Sequence, residues 1–292
     1  MIEQNAKRHH DHLGSDMKQA STDHAPTRGA ELDARSKEIR RRILEVLAMR
    51  KVAGHIGPAF SIIEILLVLY DEFIRLPQAA AEIDDRDRFI LSKGHGCLAL
   101  YAVLEYKGLI LPELLDSYGS VGAPLGGLPE RNIARGIEAT TGTLGHGLPM
   151  AVGMALAGRI TEKPFHVYVL VGDGELNEGA NWEAAFHAVK HQLSNLTVLV
   201  DRNNQQCSGP AESVLPMPYM SALWREIGFN VHHVPGHDPH AIREALLIPL
   251  STPRPRVIVC ETTKGKGLGE FEESAEWHCR QVPTLSEITS LF

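Results

Sequence analysis

The chain has 292 residues, with 29 lysines and arginines against 36 aspartates and glutamates, for a formal charge of −7. At 43% hydrophobic and 22% charged residues it has an ordinary globular composition, which excludes a mostly disordered chain, a collagen or a coiled coil. There is no basic stripe to suit nucleic acid and no apolar run near the ~20 residues of a bilayer span. The four cysteines, Cys97, Cys207, Cys260 and Cys279, form no CxxC pair, so a reducing cytoplasm is the expected location.

Residues 1–33 carry His9, His10, His12 and His24 among charged and small polar residues. Such a stretch buries too little surface to offset its ordering entropy, so a disordered extension is expected, with its histidines solvated and not metal-bound. A single domain is expected over 34–292. Apolar residues at Ile39, Ile43, Leu44, Val46 and Leu47 predict a helix from Ser36, with Arg40, Arg41 and Arg42 mostly on its wet side. A Gly/Pro break follows at 53–60, then a helix over 61–74 and a charged loop over 84–88. Phe89–Leu91 is a strand candidate, and it runs into SKGHG and a helix over 98–107.

Residues 117–147 are glycine-rich and aperiodic, and so long a loop inside a compact domain is usually functional. Helix is predicted again over 148–159, then strand and helix alternate. The strands are expected at 167–171, 196–200, 229–234 and 256–260, and the helices at 181–191, 220–227 and 240–247. β-branched runs separated by helices predict an α/β fold, a doubly wound, mostly parallel sheet with helices on both faces.

In such sheets ligands bind beyond the carboxyl ends of the strands. The loops to inspect are GDGELNEG (172–179) and DRNNQQ (201–206). Gly172 and Gly174 fit a dinucleotide fingerprint but Asn177 breaks it, and no phosphate loop with its Gly-Lys-Ser/Thr ending is present. What remains is Asp173 between two glycines at a strand end, with the Asn203 amide in the next loop and a backbone carbonyl nearby. Such oxygens suit Mg²⁺ or Ca²⁺, and not zinc. Either loop alone would read as a tight turn.

Asn203 follows Asp173 by 30 positions. With this spacing the chain resembles the thiamine diphosphate fold, and specifically the transketolase family in its split-subunit form. The likeness spans about 36–283. It rests on DRDRFILSKGHGCLALYAVL, EATTGTLGHGLPMAVGMALAGR, VYVLVGDGELNEGANWEAA, LTVLVDRNN, VPGHD and TTKGKGL…WH, in family order.

The resemblance implies thiamine diphosphate and Mg²⁺ as cofactors. It implies Asp173, Asn203 and the Gln205 backbone carbonyl as metal ligands, and His95 as a contact to the diphosphate. His55 is implied near the thiazolium and substrate, and His278 at the border of diphosphate and active site. Gly142 and Leu144 are implied against the organic rings, Gly172, Gly174 and Glu175 around the diphosphate, and Glu178 in a water-mediated link between the two active sites of a dimer. It further implies ketol transfer from a ketose to an aldose. A C-terminal partner subunit, with the pyrimidine-binding domain, would complete an α2β2 enzyme.

Three departures bear on the substrate. Leu128, in GGLPE, stands where a donor-binding histidine is usual. GHIGPAFS replaces GHPGGS, and His146 stands where glutamine is common. A second reading is therefore a thiamine-dependent acyl or acetaldehyde transferase, or a synthase with a pyruvate-like donor. A third is a non-catalytic cofactor-binding subunit, against which the intact Asp173, Asn203, His55, His95 and His278 argue.

Overall fold

A computed structural model describes residues 25–77, 84–250 and 252–282, with side chains from residue 31 onward. The strands are β1 (Ala53–Gly54), β2 (Arg88–Leu91), β3 (Val167–Gly172), β4 (Leu196–Arg202), β5 (Asn230–Pro235), β6 (Arg256–Glu261) and β7 (Arg280–Gln281). The helices are α1 (Ala25–Arg50), α2 (Ile56–Phe60), α3 (Ile63–Val68), α4 (Cys97–Tyr106), α5 (Pro112–Asp116), α6 (Gly147–Ile160), α7 (Gly179–Lys190), α8 (Ala211–Val214), α9 (Met220–Ile227) and α10 (Pro239–Leu247).

Five strands form one parallel sheet in the order β2-β3-β4-β6-β5. Alternation along each strand divides the apolar side chains between two faces. Tyr168, Leu170, Leu199, Ile258 and Cys260 pack with α1, α3, α4 and α10. Val167, Val169, Val171, Val198 and Val257 pack with α6, α7 and α9, around the fully buried Trp224. The expected doubly wound α/β architecture is therefore present, with helices on both faces.

Some boundaries differ from expectation. α1 begins at Ala25, so it takes in the last nine residues of the stretch expected to be disordered, while residues 1–24 lie outside the described residues. The helix expected over 61–74 is α3 followed by a π-helical turn over Leu69–Phe73. β1 and β7 pair antiparallel over two residues each, too short for any alternation to announce them.

The register brings the functional loops to one level. Gly172 pairs with Asp201 and Asp201 with Cys260, while Ser92 N, just past β2, donates to Leu170 O. The loops starting at Lys93, Asp173, Asn203 and Thr262 thus leave the sheet side by side at its carboxyl edge.

Candidate functional site

Three histidines from distant parts of the chain converge there. His55 precedes α2, His95 lies in the turn before α4, and His278 follows Trp277 near β7. Their ring centroids are 5.7 Å (His55–His95), 5.5 Å (His55–His278) and 5.7 Å (His95–His278) apart. Burial holds all three neutral. It lowers His55, takes His95 down to about 2 with help from the Lys93 ammonium, and takes His278 to about 4 with help from Lys264. Nδ1 of His278 is buried and has no hydrogen-bond partner among the described residues.

His55 and His95 open onto a cleft of about 710 Å³, lined also by Leu128, Glu130, Thr140 and Gly142. The 126–128 backbone is fixed from below, since Tyr101 Oη donates to Leu128 O at 3.0 Å and to Gly126 O at 3.2 Å. Leu128 is 43% exposed, with its methyl groups over Gly142. Gly142 has φ +145°, and an added Cβ would lie 2.5 Å from Leu128 Cδ1, so both backbone and space demand glycine. Leu144, two residues on, is half-buried.

Asp173 is the end residue of β3's run into the loop and is 7% exposed. Its Oδ1 accepts from Gly174 N at 2.8 Å and its Oδ2 from Asn204 N at 2.7 Å. The carboxyl therefore lies against the loop that carries Asn203. Burial and the neighbouring Asp201 raise it to about 6. Asn203 donates from Nδ2 to Asp201 Oδ2 (3.0 Å) and accepts at Oδ1 from Gln205 N (3.0 Å), which orients its amide.

Beneath these loops is a buried polar knot. Lys93 is 2% exposed and pairs with the fully buried Asp201. Ser61 Oγ donates to Asp201 Oδ2 at 2.7 Å, Thr262 Oγ1 reaches Asp201 Oδ1, and Lys93 Nζ donates to Pro58 O at 3.0 Å. Lys264, equally buried, donates to Gln206 O at 3.0 Å. These cations and their partners escape sequence reasoning because lysine is almost never fully buried. The one available signal is Asp201, near the end of β4 and two positions before Asn203.

Two further expected residues lie in the loop that follows β3. Glu175 is turned inward, where its carboxylate accepts from Ser92 Oγ, Gly145 N (2.9 Å) and Gly172 N (3.1 Å). It braces three loops. Glu178 is exposed at the N-terminus of α7, against Gly145. No group of three or more histidine, cysteine, aspartate or glutamate side chains suited to a metal occurs among the described residues. A cation here would rest on one carboxylate, an amide and backbone oxygens. No helix among the described residues is long and apolar enough to cross a membrane.

Residues 34–285 match the family described as transketolase, thiamine diphosphate binding domain, and the chain belongs to that family. It is 38% identical over 257 residues to an apulose-4-phosphate transketolase subunit of Phocaeicola vulgatus, covering 88% of this chain and 90% of that one. It is 37% identical over 249 residues to the 6-deoxy-6-sulfo-D-fructose transketolase subunit SqwG of a Clostridium species, covering 85% and 90%. Among solved structures it superimposes on the transketolase from Leishmania mexicana with a TM-score of 0.77 at 28% identity, covering 88% of this chain and 40% of that one. The chain thus spans about two-fifths of that longer transketolase.

Proposed function

We propose that this member of the transketolase family is the diphosphate-binding subunit of a split, thiamine diphosphate-dependent enzyme. It transfers a two-carbon ketol unit from a ketose to an aldehyde, together with a C-terminal subunit in an α2β2 assembly. The observation that carries the reading is the meeting of Asp173, the Asn203 loop and three neutral histidines at one edge of the sheet. Two relatives, each matched over 90% of its length, are named as transketolase subunits, which supports a partner.

The residues fit the cofactor. The Asp173 carboxylate, the Asn203 amide oxygen and the Gln205 carbonyl are hard oxygens that suit Mg²⁺, with Ca²⁺ as a substitute, leaving positions for phosphate oxygens and water. A carboxyl raised by burial beside a second carboxylate is one that a bound cation would relieve. The unpartnered Nδ1 of His278 is available to a ligand. When bound, thiamine diphosphate supplies a nucleophilic carbon and an electron sink for carbon–carbon bond cleavage.

In this reading His95 donates a hydrogen bond to the diphosphate, and the backbones of Gly172 and Gly174 allow its close approach. Gly142 and Leu144 border the rings. His55 and His278, neutral at pH 7, hold or move a proton at the substrate oxygens. Glu178 joins the two active sites of the assembly. The four cysteines are free, in keeping with a cytoplasmic location.

Leu128 favours a specialised donor within this chemistry. An apolar side chain in the cleft cannot hydrogen-bond a donor hydroxyl, so a less hydroxylated or pyruvate-like donor is the second reading. The relatives' names, with apulose 4-phosphate and 6-deoxy-6-sulfo-D-fructose, agree with specialised sugars. Titration of the chain, assembled with its C-terminal partner, with thiamine diphosphate in the presence of Mg²⁺, followed by tryptophan fluorescence, tests the cofactor site. Saturable binding that is lost in Asp173→Ala is expected, and equal binding by that variant would refute the metal assignment.

A further inference from the structure

His237, between β5 and α10, lies outside the residues that face the cleft, yet both its ring nitrogens are engaged. Nδ1 lies 2.9 Å from Glu64 Oε2 on α3. Nε2 accepts from the backbone N–H of Thr263 at 2.8 Å. Because an amide N–H can only donate, Nε2 carries no proton, and Nδ1 is the donor to Glu64. Burial alone would raise Glu64, but His237 and Arg40 outweigh it and hold the carboxyl at about 2, fully ionised. Arg40 of α1 reaches Glu64 at 2.7 Å. The tautomer of His237 is therefore set from behind by an ion pair joining two helices.

Thr263 lies in a segment, 262–268, that touches two loops of the candidate site, 201–206 at both ends and the loop of His55. Thr262 Oγ1 reaches Asp201. Lys264 Nζ donates to Gln206 O, one residue from Gln205, at 3.0 Å. Gly265 N donates to Gly57 O, two residues from His55, at 3.1 Å. The approach is close: at Gly236, just before His237, a Cβ would overlap the Thr262 methyl, and at Gly267 it would meet Arg40 Cδ at 2.9 Å.

We propose that His237 is a positioning residue, whose Nε2 anchors the 262–268 segment and through it the loops of His55 and of Asn203–Gln206. The inference rests on the reading of those loops as the thiamine diphosphate site. Histidine is suited to the task because one small side chain donates on one side and accepts on the other without a net charge.

Two substitutions in the full-length chain, assembled with its C-terminal partner, separate anchoring from packing. Gln in place of His237 keeps an acceptor at the reach of Nε2, whereas Asn keeps only a donor at the reach of Nδ1. An unpaired buried N–H is costly, so His237→Asn is expected to weaken thiamine diphosphate binding, measured with Mg²⁺, by roughly ten-fold. Trypsin cleavage after Lys266 is expected to quicken by a similar factor, with far-ultraviolet circular dichroism unchanged. His237→Gln is expected to stay within about three-fold of wild type in both measurements, since its acceptor retains the hydrogen bond. Equal losses in both variants, or wild-type cofactor binding by His237→Asn, would overturn the proposal. If the wild-type chain, assembled with its C-terminal partner, itself failed to bind thiamine diphosphate, the functional reading would fall. The proteolysis comparison would then decide alone whether His237 holds the segment.

Discussion

The imidazoles of His55 and His278 meet edge to face, with centroids 5.5 Å apart and planes at 89°. They come from opposite ends of the described chain, and the two-residue pairing of Ala53–Gly54 with Arg280–Gln281 brings them together. Neither contributes to the buried core, so removing either should cost activity with little loss of stability. His55→Ala and His278→Ala are each expected to lower kcat by about 10²–10⁴-fold, the usual worth of a positioned acid or base. Steady-state kinetics beside thermal melts checks this; a parallel collapse of Tm would point to a structural role.

The histidine cluster also gives a pH dependence of stability. Burial holds His95 at about 2 and His278 at about 4, both below the unfolded value of 6.5. Between those values the unfolded chain binds more protons than the folded one, so stability rises with pH in that window. The cofactor-free chain should therefore lose stability as pH falls from about 6.5 towards 4. Urea midpoints at pH 7 and pH 5 measure it. A variant with His95 and His278 both replaced by Gln should show a shallower decline, and an identical decline would exclude these groups as the source.

The Lys93–Asp201 pair is buried at the meeting point of four loops. Removing one member leaves the other as an uncompensated buried charge, which costs about 3–5 kcal/mol. Asp201→Ala is accordingly expected to lower Tm by roughly 10 °C. The double variant Lys93→Met/Asp201→Leu, which removes both charges, should recover part of that loss. A double variant less stable than Asp201→Ala would contradict the electrostatic account.

Leu128 offers a test of donor choice. Replacing it by histidine restores a hydrogen-bond donor to the cleft beside His55 and His95. Leu128→His is expected to raise kcat/KM for a fully hydroxylated ketose phosphate by about ten-fold, the worth of one added hydrogen bond. If kcat/KM for such donors falls instead, the polar contact comes from elsewhere in the cleft.

The sheet was legible because its strands are short runs rich in β-branched and apolar residues, as at Val167–Val171 and Leu196–Val200, and the loops at their carboxyl ends follow from topology alone. Asp173, Asn203 and the histidines could be picked out because they sit in short motifs beside glycine. The pairing of β1 with β7 left no trace because two residues carry no period. The roles of Lys93, Lys264, Glu64 and His237 were hidden for a different reason. Each depends on partners between 24 and 173 positions away, and no local pattern encodes which charge is buried against which. Glu175 shows the converse: it lies in the expected loop, but three nearby donors draw its carboxylate inward.

The most direct test of the central claim is transfer of a ¹³C-labelled two-carbon unit, followed by NMR. The chain would be assembled with its C-terminal partner, Mg²⁺ and thiamine diphosphate, and given labelled ketose phosphate or labelled pyruvate with an aldose acceptor. The account predicts label at C1 and C2 of a new ketose from the ketose donor, only when both subunits are present. Labelled carbon dioxide from pyruvate, with no transfer from the ketose, would contradict ketol transfer and identify a decarboxylating enzyme.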